Sequence, residues 1–194
     1  KDLTANPYII NLKNGLYNVI EDKLEDHTPD YLSTVQIHAG YDPSAQCPRF
    51  MEYLHDSLDD EMIPLMQEIL GYFLIPTNRA QKAFVLVGVA RSGKSVLIRT
   101  ISEILLGMEN VSNVSWQALN ERFKPAELWG KLANTFADLP TKNIDDNGIF
   151  KALVGEDDLT VERKHRDPFS FRSTARLLFS CNSIPQNCGD RSEG

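Results

Sequence analysis

The 194-residue sequence has little cysteine and few candidate metal ligands. Its 3 cysteines are Cys47, Cys181 and Cys188, which form no Cys-x-x-Cys pair, and its 4 histidines lie far apart in the chain. Structural zinc sites and disulfide frameworks both need closely organised cysteines, so this pattern argues against either. We therefore expect a reduced, cytosolic protein without structural zinc.

The chain also lacks net positive charge and long apolar runs. Lys and Arg total 20 against 27 Asp and Glu, which gives a net charge of -7. An acidic chain does not attract nucleic acid or anionic lipid as a whole, so any site for a polyanion must be local. The longest apolar runs are far shorter than the roughly 20 residues that span a bilayer, so we expect no membrane partner. The start at Lys1, without Met or an apolar leader, indicates a part excised from a longer protein.

The first part of the chain, residues 1–77, carries strand and helix patterns of modest length. Two strand-like runs, residues 8–12 and 16–20, flank the hairpin turn signal Asn14-Gly15. Apolar residues then recur at helical spacing after Pro48 and again from about residue 59 to Phe73. We predict a small β-hairpin followed by a helical segment.

The pattern changes at about residue 78. The continuous apolar run 83–87 is typical of a strand that is buried on both faces. Two similar runs, 132–137 and 175–180, follow it, with helical segments around 95–106 and 144–153. This alternation predicts an α/β core with a central parallel sheet over residues 78–194.

A phosphate-binding motif follows the first of these strands. The motif is a complete G-x-x-x-x-G-K-S, formed by Gly88, Val89, Ala90, Arg91, Ser92, Gly93, Lys94 and Ser95. A helical stripe follows it, with Leu97, Ile101, Ile104 and Leu105, so strand, loop and helix stand in the order that a P-loop requires. In such a loop, backbone N–H groups surround the β-phosphate, Lys94 reaches the β and γ oxygens, and the Ser95 hydroxyl holds Mg²⁺. We therefore predict a site for ATP and Mg²⁺.

Polar side chains follow the other two predicted strands. Asp138 comes after the run 132–137 and is predicted to be the second Mg²⁺ ligand, although a capping role at the strand end is the alternative. Asn182 comes after the run 175–180 and is predicted to face the γ-phosphate and position water, with a plain turn residue as the alternative. No second acidic residue adjoins Asp138, so the sequence does not identify a catalytic base.

Between these strands lies the most basic part of the chain. Residues 159–176 contain five basic side chains, Arg163, Lys164, Arg166, Arg172 and Arg176, against Glu162 and Asp167. The alternation on each side predicts a hairpin with a projecting basic tip. We predict that Arg163, Lys164, His165 and Arg166 bind DNA phosphates independently of sequence, and a solvated turn is the alternative.

Taken in this order and spacing, the motifs resemble the superfamily 3 helicase domains of phage and plasmid primase-helicases, which are related to the poxvirus primase-helicase. Residues 5–78 resemble the segment that precedes the helicase core in those proteins. The resemblance implies an AAA+-like fold in which residues 88–95 are Walker A, Asp138 belongs to Walker B and Asn182 is sensor 1. It also implies that Lys164 and His165 lie on a DNA-gripping hairpin.

The resemblance further implies a homo-oligomeric ring, usually a hexamer, around one strand of single-stranded or forked DNA. We therefore predict an ATP-dependent DNA helicase or translocase domain of a phage or mobile-element replication protein, in the cytoplasm of a bacterial or phage-infected host cell. The resemblance places the arginine finger beyond Gly194, since Arg191 is a poor match, so we expect slow hydrolysis. The alternatives are a nucleotide-binding module that assembles a ring with little turnover and, less well supported, a small P-loop phosphotransferase.

Overall fold

The computed structural model describes residues 6–139 and 148–183. Its first part begins with a three-stranded antiparallel sheet made of β1 (Ile9–Leu12), β2 (Gly15–Asn18) and β3 (Lys23–Glu25). The predicted hairpin is present, but its turn consists of Lys13 and Asn14, and Gly15 already belongs to β2. Strand β3 was not predicted, because it is three residues long and has only Leu24 as an apolar side chain.

Two helices complete the first part of the chain. Helix α1 spans Pro48–Ser57, with Pro48 in its first turn as predicted. Helix α2 spans Ile63–Leu74 and is preceded by a 3₁₀ turn at Asp60–Met62. The buried side chains of α2 include Ile63, Met66 and Phe73, which lie on the predicted apolar face.

The second part of the chain is built on a parallel sheet. Its strands are β4 (Phe84–Val87), β5 (Val111–Ser112), β6 (Ala133–Phe136) and β9 (Arg176–Cys181), in the order β4-β9-β6-β5. Between β4 and β5 lies α3 (Lys94–Arg99), and after β6 come α4 (Gly148–Gly155) and the antiparallel pair β7 (Asp158–Val161) and β8 (Phe169–Arg172). The predicted α/β class with a central parallel sheet is confirmed.

Strand β4 differs from its prediction. Val85 and Val87 are 40% and 48% exposed, while Phe84 and Leu86 are half-buried, so the strand is covered in part on one face and exposed on the other. Within the described residues β4 lies at the edge of the sheet and pairs with β9 alone. By contrast, every residue of β9 is buried, because this strand is paired on both sides and covered on both faces.

The helix after the P-loop also departs from the predicted pattern. Helix α3 continues into a π-helical stretch at Thr100–Leu105. Leu97 and Ile101 are buried as predicted, but Ile104 is 76% exposed. A π-helix has more residues per turn than an α-helix, so residues after Ile101 rotate away from the face that a 3.6-residue period predicts.

The two parts of the chain share one apolar core. Leu12, Leu54 and Phe73 from the first part pack in the same buried cluster as Leu97 and Leu178 from the second. At the junction, the buried Asn78 amide donates to the carbonyls of Leu153, Ser173 and Ala175 at 3.1 to 3.3 Å. The division of the chain at residue 78 stays a prediction. No helix within 6–139 and 148–183 is long and apolar enough to cross a membrane.

Candidate functional site

The P-loop lies between the end of β4 and the start of α3. Its backbone enters the left-handed region at Arg91 (φ 65°) and at Gly93 (φ 88°). A Cβ atom on Gly93 would lie 3.1 Å from the ring of Tyr53, and one on Gly88 would lie 2.9 Å from Ser92 Oγ. The loop therefore favours glycine at position 93, both for its left-handed backbone and for the close approach of the Tyr53 ring, whereas the atom near Gly88 belongs to a side chain that can rotate.

The Lys94 ammonium group is surrounded by oxygen acceptors. Its Nζ donates to the carbonyls of Gly88 at 2.7 Å and Val89 at 2.8 Å, and to Asn182 Oδ1 at 3.3 Å. These bonds place the cation between the P-loop and the end of β9. The structure thus brings the predicted residues Lys94 and Asn182 into direct contact.

Most of the residues predicted to bind the nucleotide line one cavity of about 480 Å³, and Gly88 and Val89 lie outside this lining. It is lined by residues 90–96 together with Asp138 and Asn182. Asp138 follows β6 with a left-handed backbone (φ 57°), and its N–H donates to Ser180 Oγ of β9 at 3.4 Å. The carboxyl ends of β4, β6 and β9 therefore lie side by side, as parallel pairing requires. The P-loop follows β4, Asp138 follows β6 and Asn182 follows β9.

The oxygen atoms in this cavity fit a Mg²⁺ ion that is shared with phosphates. Ser95 supplies a hydroxyl and Asp138 a carboxylate, both of them hard oxygen ligands. Within the described ranges, no group of three His, Cys, Asp or Glu side chains forms a metal site by itself. Mg²⁺ at nucleotide sites is commonly held by one or two protein ligands plus phosphates and waters, so this sparse ligand set is the expected one.

Tyr53 of α1 is a neighbour of the P-loop that the sequence did not indicate. Its hydroxyl donates to the Gly93 carbonyl at 3.0 Å, and its ring stacks on Phe50 at 5.9 Å between centroids. Burial raises the pKa of Tyr53, so the hydroxyl is protonated and able to donate at neutral pH. The sequence places Tyr53 only in the helical run after Pro48, and the contact was not predicted because its partner lies 40 residues further along the chain.

The basic segment forms the predicted hairpin. Strands β7 and β8 pair in register, with Val161 opposite Phe169, and residues 162–168 form the tip. Lys164, His165 and Arg166 are exposed there, with His165 in the left-handed region at φ 62°. The Arg166 N–H donates to the Arg163 carbonyl at 3.0 Å, which closes the turn.

Arg163 does not project with the other tip residues. Its guanidinium carbon lies 4.8 Å from the centre of the Trp129 ring and 5.0 Å from that of Phe169. The side chain is therefore packed against both aromatic rings, which contact each other edge-on with 5.9 Å between their centres. Sequence spacing placed Arg163 in the basic run but gave no indication of Trp129, which comes from a different loop.

Arg176 is wholly buried and is no part of the hairpin surface, which corrects its place in the predicted basic cluster. Its guanidinium donates to the carbonyls of Thr77 at 2.8 Å and Leu132 at 3.2 Å and lies 4.6 Å from the centre of the Tyr72 ring. Desolvation lowers the pKa of Arg176 to about 10, so the group is charged at neutral pH. Arg176 belongs to β9, the strand with a completely buried surface, and this position explains the difference.

Fold and site together define a P-loop α/β protein with a basic hairpin beside its sheet. The model of DUF5906, a family of unknown function, matches residues 86–193, and the chain belongs to that family. The model described as D5 N terminal like matches residues 1–59, which cover the antiparallel sheet and α1.

Individual relatives are distant and longer. The Acanthamoeba polyphaga mimivirus protein L207/L206, named as a helicase, is 21% identical over 196 residues, covering 95% of this chain and 20% of the mimivirus protein. An apo structure of the NrS-1 C-terminal region matches with a TM-score of 0.59 at 19% identity, covering 73% of this chain and 35% of that one. Another, of residues 305–718, has a TM-score of 0.58 at 19% identity and covers 77% and 37%. The match to the D5 N terminal like model and the similarity to the mimivirus protein confirm the resemblance that the motifs indicated, and the NrS-1 structures confirm the fold alone.

Proposed function

We propose that this chain is the ATP-dependent DNA helicase or translocase domain of a phage or mobile-element replication protein of the primase-helicase type. The observation that supports this most is the convergence of residues 90–96, Asp138 and Asn182 on one cavity of about 480 Å³. In the proposed active state, the domain forms a homo-oligomeric ring, a hexamer, on single-stranded or forked DNA. We place this activity in the cytoplasm of a bacterial or phage-infected host cell.

The cavity residues have distinct proposed roles toward ATP. Lys94 exchanges carbonyl acceptors for β- and γ-phosphate oxygens, because charged phosphate oxygens are stronger acceptors for an ammonium group than carbonyls are. The backbone N–H groups of the P-loop are proposed to bind the phosphates, as the motif leads us to expect. Ser95 and Asp138 hold Mg²⁺, which when bound neutralises phosphate charge.

Asn182 is proposed to report the state of the nucleotide to the hairpin. Its Oδ1 lies 3.3 Å from Lys94 Nζ, so its amide lies beside the cation that is proposed to bind the γ-phosphate. Strand β9 runs from the end of the hairpin to Asn182, with only residues 173–175 between β8 and β9. Because β9 is buried and paired on both sides, a shift at Asn182 is carried along a rigid element toward the hairpin.

The proposed hydrolysis needs a catalytic base, which the described part of the cavity does not clearly supply. Among the described residues that line the cavity, Asp138 is the single carboxylate, so a separate base for water is not evident there. A module that binds ATP and assembles a ring with little turnover would need no such base. The decisive experiment must therefore measure strand separation as well as binding.

We suggest a strand-displacement assay on forked DNA carrying a fluorophore and a quencher, with ATP, with a non-hydrolysable ATP analogue, and with ATP plus EDTA. The expected result is slow displacement in the reaction with ATP and Mg²⁺ and none in the other two reactions, because both hydrolysis and Mg²⁺ are required. Sedimentation in the same buffers measures ring formation. Nucleotide-dependent assembly without displacement would contradict the helicase proposal and support the assembly module.

A further inference from the structure

The two tryptophans of this chain have opposite environments. Trp116 is buried, and its ring stacks on Phe150 with 4.0 Å between centroids. Trp129 is 49% exposed and ends the 3₁₀ turn Pro125–Leu128. Gly130 follows with a left-handed backbone (φ 71°) and open space around its Cα. A large apolar side chain is thus presented to solvent at a fixed turn.

Trp129 is also one wall of an aromatic stack at the base of the hairpin. Phe169 stands edge-on to it at 5.9 Å, and Phe171 lies a further 5.9 Å from Phe169. The Arg163 guanidinium lies over both Trp129 and Phe169. These contacts fix the orientation of the indole and of the cation with respect to the exposed tip residues Lys164 and Arg166.

This combination of groups matches the chemistry of a single nucleic-acid strand. An unpaired base offers a flat face that stacks on an exposed aromatic ring, and the guanidinium plane of arginine stacks on bases as well. The flanking phosphates need cations, which Lys164 and Arg166 supply one and three positions after Arg163. In a chain of net charge -7, such a local site is the form that strand binding must take.

We propose that Trp129, with Arg163 packed against it, is a stacking platform for a base of single-stranded DNA. In this arrangement Lys164 and Arg166 bind the adjacent phosphates. The inference rests on the DNA-binding part of the proposed function and is independent of the nucleotide cavity. A purely structural role for the stack, in which Arg163 only fastens the hairpin, is the competing explanation.

Intrinsic fluorescence can probe this platform, because Trp116 is buried and a bound strand can contact only the exposed Trp129. We expect oligothymidylate to quench the emission of Trp129, and an abasic oligonucleotide of the same length, which has the phosphates but no bases, to leave it unchanged. Trp129→Ala is expected to weaken oligothymidylate binding about tenfold, measured by the anisotropy of a labelled strand. Trp129→Phe keeps an aromatic ring and should retain most of the affinity.

The outcomes separate the two explanations. Equal quenching by the abasic strand, or equal affinity of the wild type and Trp129→Ala, overturns the platform. Unchanged binding of a fluorescent ATP analogue by Trp129→Ala shows that the fold is intact, and if that binding is lost, the comparison of oligothymidylate with the abasic strand on the wild type decides. If the wild type binds single-stranded DNA but Trp129 does not contribute, the platform is wrong and the DNA part of the proposed function stands. A wild type that binds no single strand contradicts the DNA part of the proposed function as well.

Discussion

The P-loop and the hairpin each present a cation, but the two cations have different partners. Lys94 is bonded to carbonyl and amide oxygens at 2.7 to 3.3 Å, all of them acceptors that a phosphate can replace. Arg163 instead lies over the faces of Trp129 and Phe169. We infer from this difference that the partner of a cation, more than its charge, determines what it can bind: the proposed ligand is an anion at Lys94 and a flat π-system beside Arg163.

The two regions also differ in how their geometry arises. The P-loop is made by eight contiguous residues, 88–95, in which the glycines determine the backbone path. The aromatic stack at the hairpin joins Arg163 and Phe169 to Trp129, which precedes β6. A local pattern in the sequence can therefore specify the first region, whereas the second depends on the fold.

The largest effect is expected at Arg176, on the strand that connects the two regions. Arg176→Ala leaves buried carbonyls without a donor and opens a cavity beside Tyr72, so we expect the free energy of unfolding to fall by about 3 kcal/mol. Urea denaturation measures this change. The matched control is Arg172→Ala, since Arg172 is exposed and its ion pair with Asp158 contributes about 1 kcal/mol or less. Equal losses in both variants would contradict the buried role of Arg176.

The next largest effect is expected at Lys94. Lys94→Ala removes a charged donor from the cavity, and charged hydrogen bonds contribute about 1.5 to 3 kcal/mol each, so ATP affinity should fall about 100-fold. Titration with a fluorescent ATP analogue measures the change. Lys82→Ala, at an exposed position outside the cavity, is the control and should bind ATP as the wild type does. Wild-type affinity in Lys94→Ala would rule out the P-loop as the nucleotide site.

The sequence predicted well what depends on local order. The P-loop, the parallel sheet and the hairpin follow from motif spacing and apolar runs, and the parallel order brings Asp138 and Asn182 to the P-loop. Sequence spacing did not predict which cations are exposed, because burial of Arg176 depends on β9 being a central strand. It also gave no sign of the Tyr53 contact, since that contact joins a helix of the first part to a loop of the second.

A smaller effect is expected at Tyr53. This prediction tests whether the P-loop conformation depends on local sequence alone or also on a contact from α1. Tyr53→Phe removes the hydrogen bond to the Gly93 carbonyl, and one such bond is worth about 1 kcal/mol, so ATP affinity should fall about fivefold. Tyr31→Phe is a matched control, because the Tyr31 hydroxyl donates to the Ile9 carbonyl at 2.8 Å, away from the cavity. Equal ATP affinity in the two variants would mean that the P-loop needs no support from α1.

The smallest effect is expected from the exposed tip of the hairpin. Lys164 and Arg166 are open to solvent, so each contributes little at physiological salt, but each phosphate contact releases counterions. For the Lys164→Ala and Arg166→Ala double variant, we expect the slope of log affinity against log salt for single-stranded DNA to shrink by about 1.4. A double variant at Lys13 and Lys82, exposed lysines outside the hairpin, removes the same net charge and should keep the wild-type slope. If both double variants shift the slope equally, the DNA senses only the overall charge of the chain. If the slope falls in the hairpin variant alone while oligothymidylate still quenches Trp129, phosphate binding at the tip and base stacking beside it are separable parts of one site.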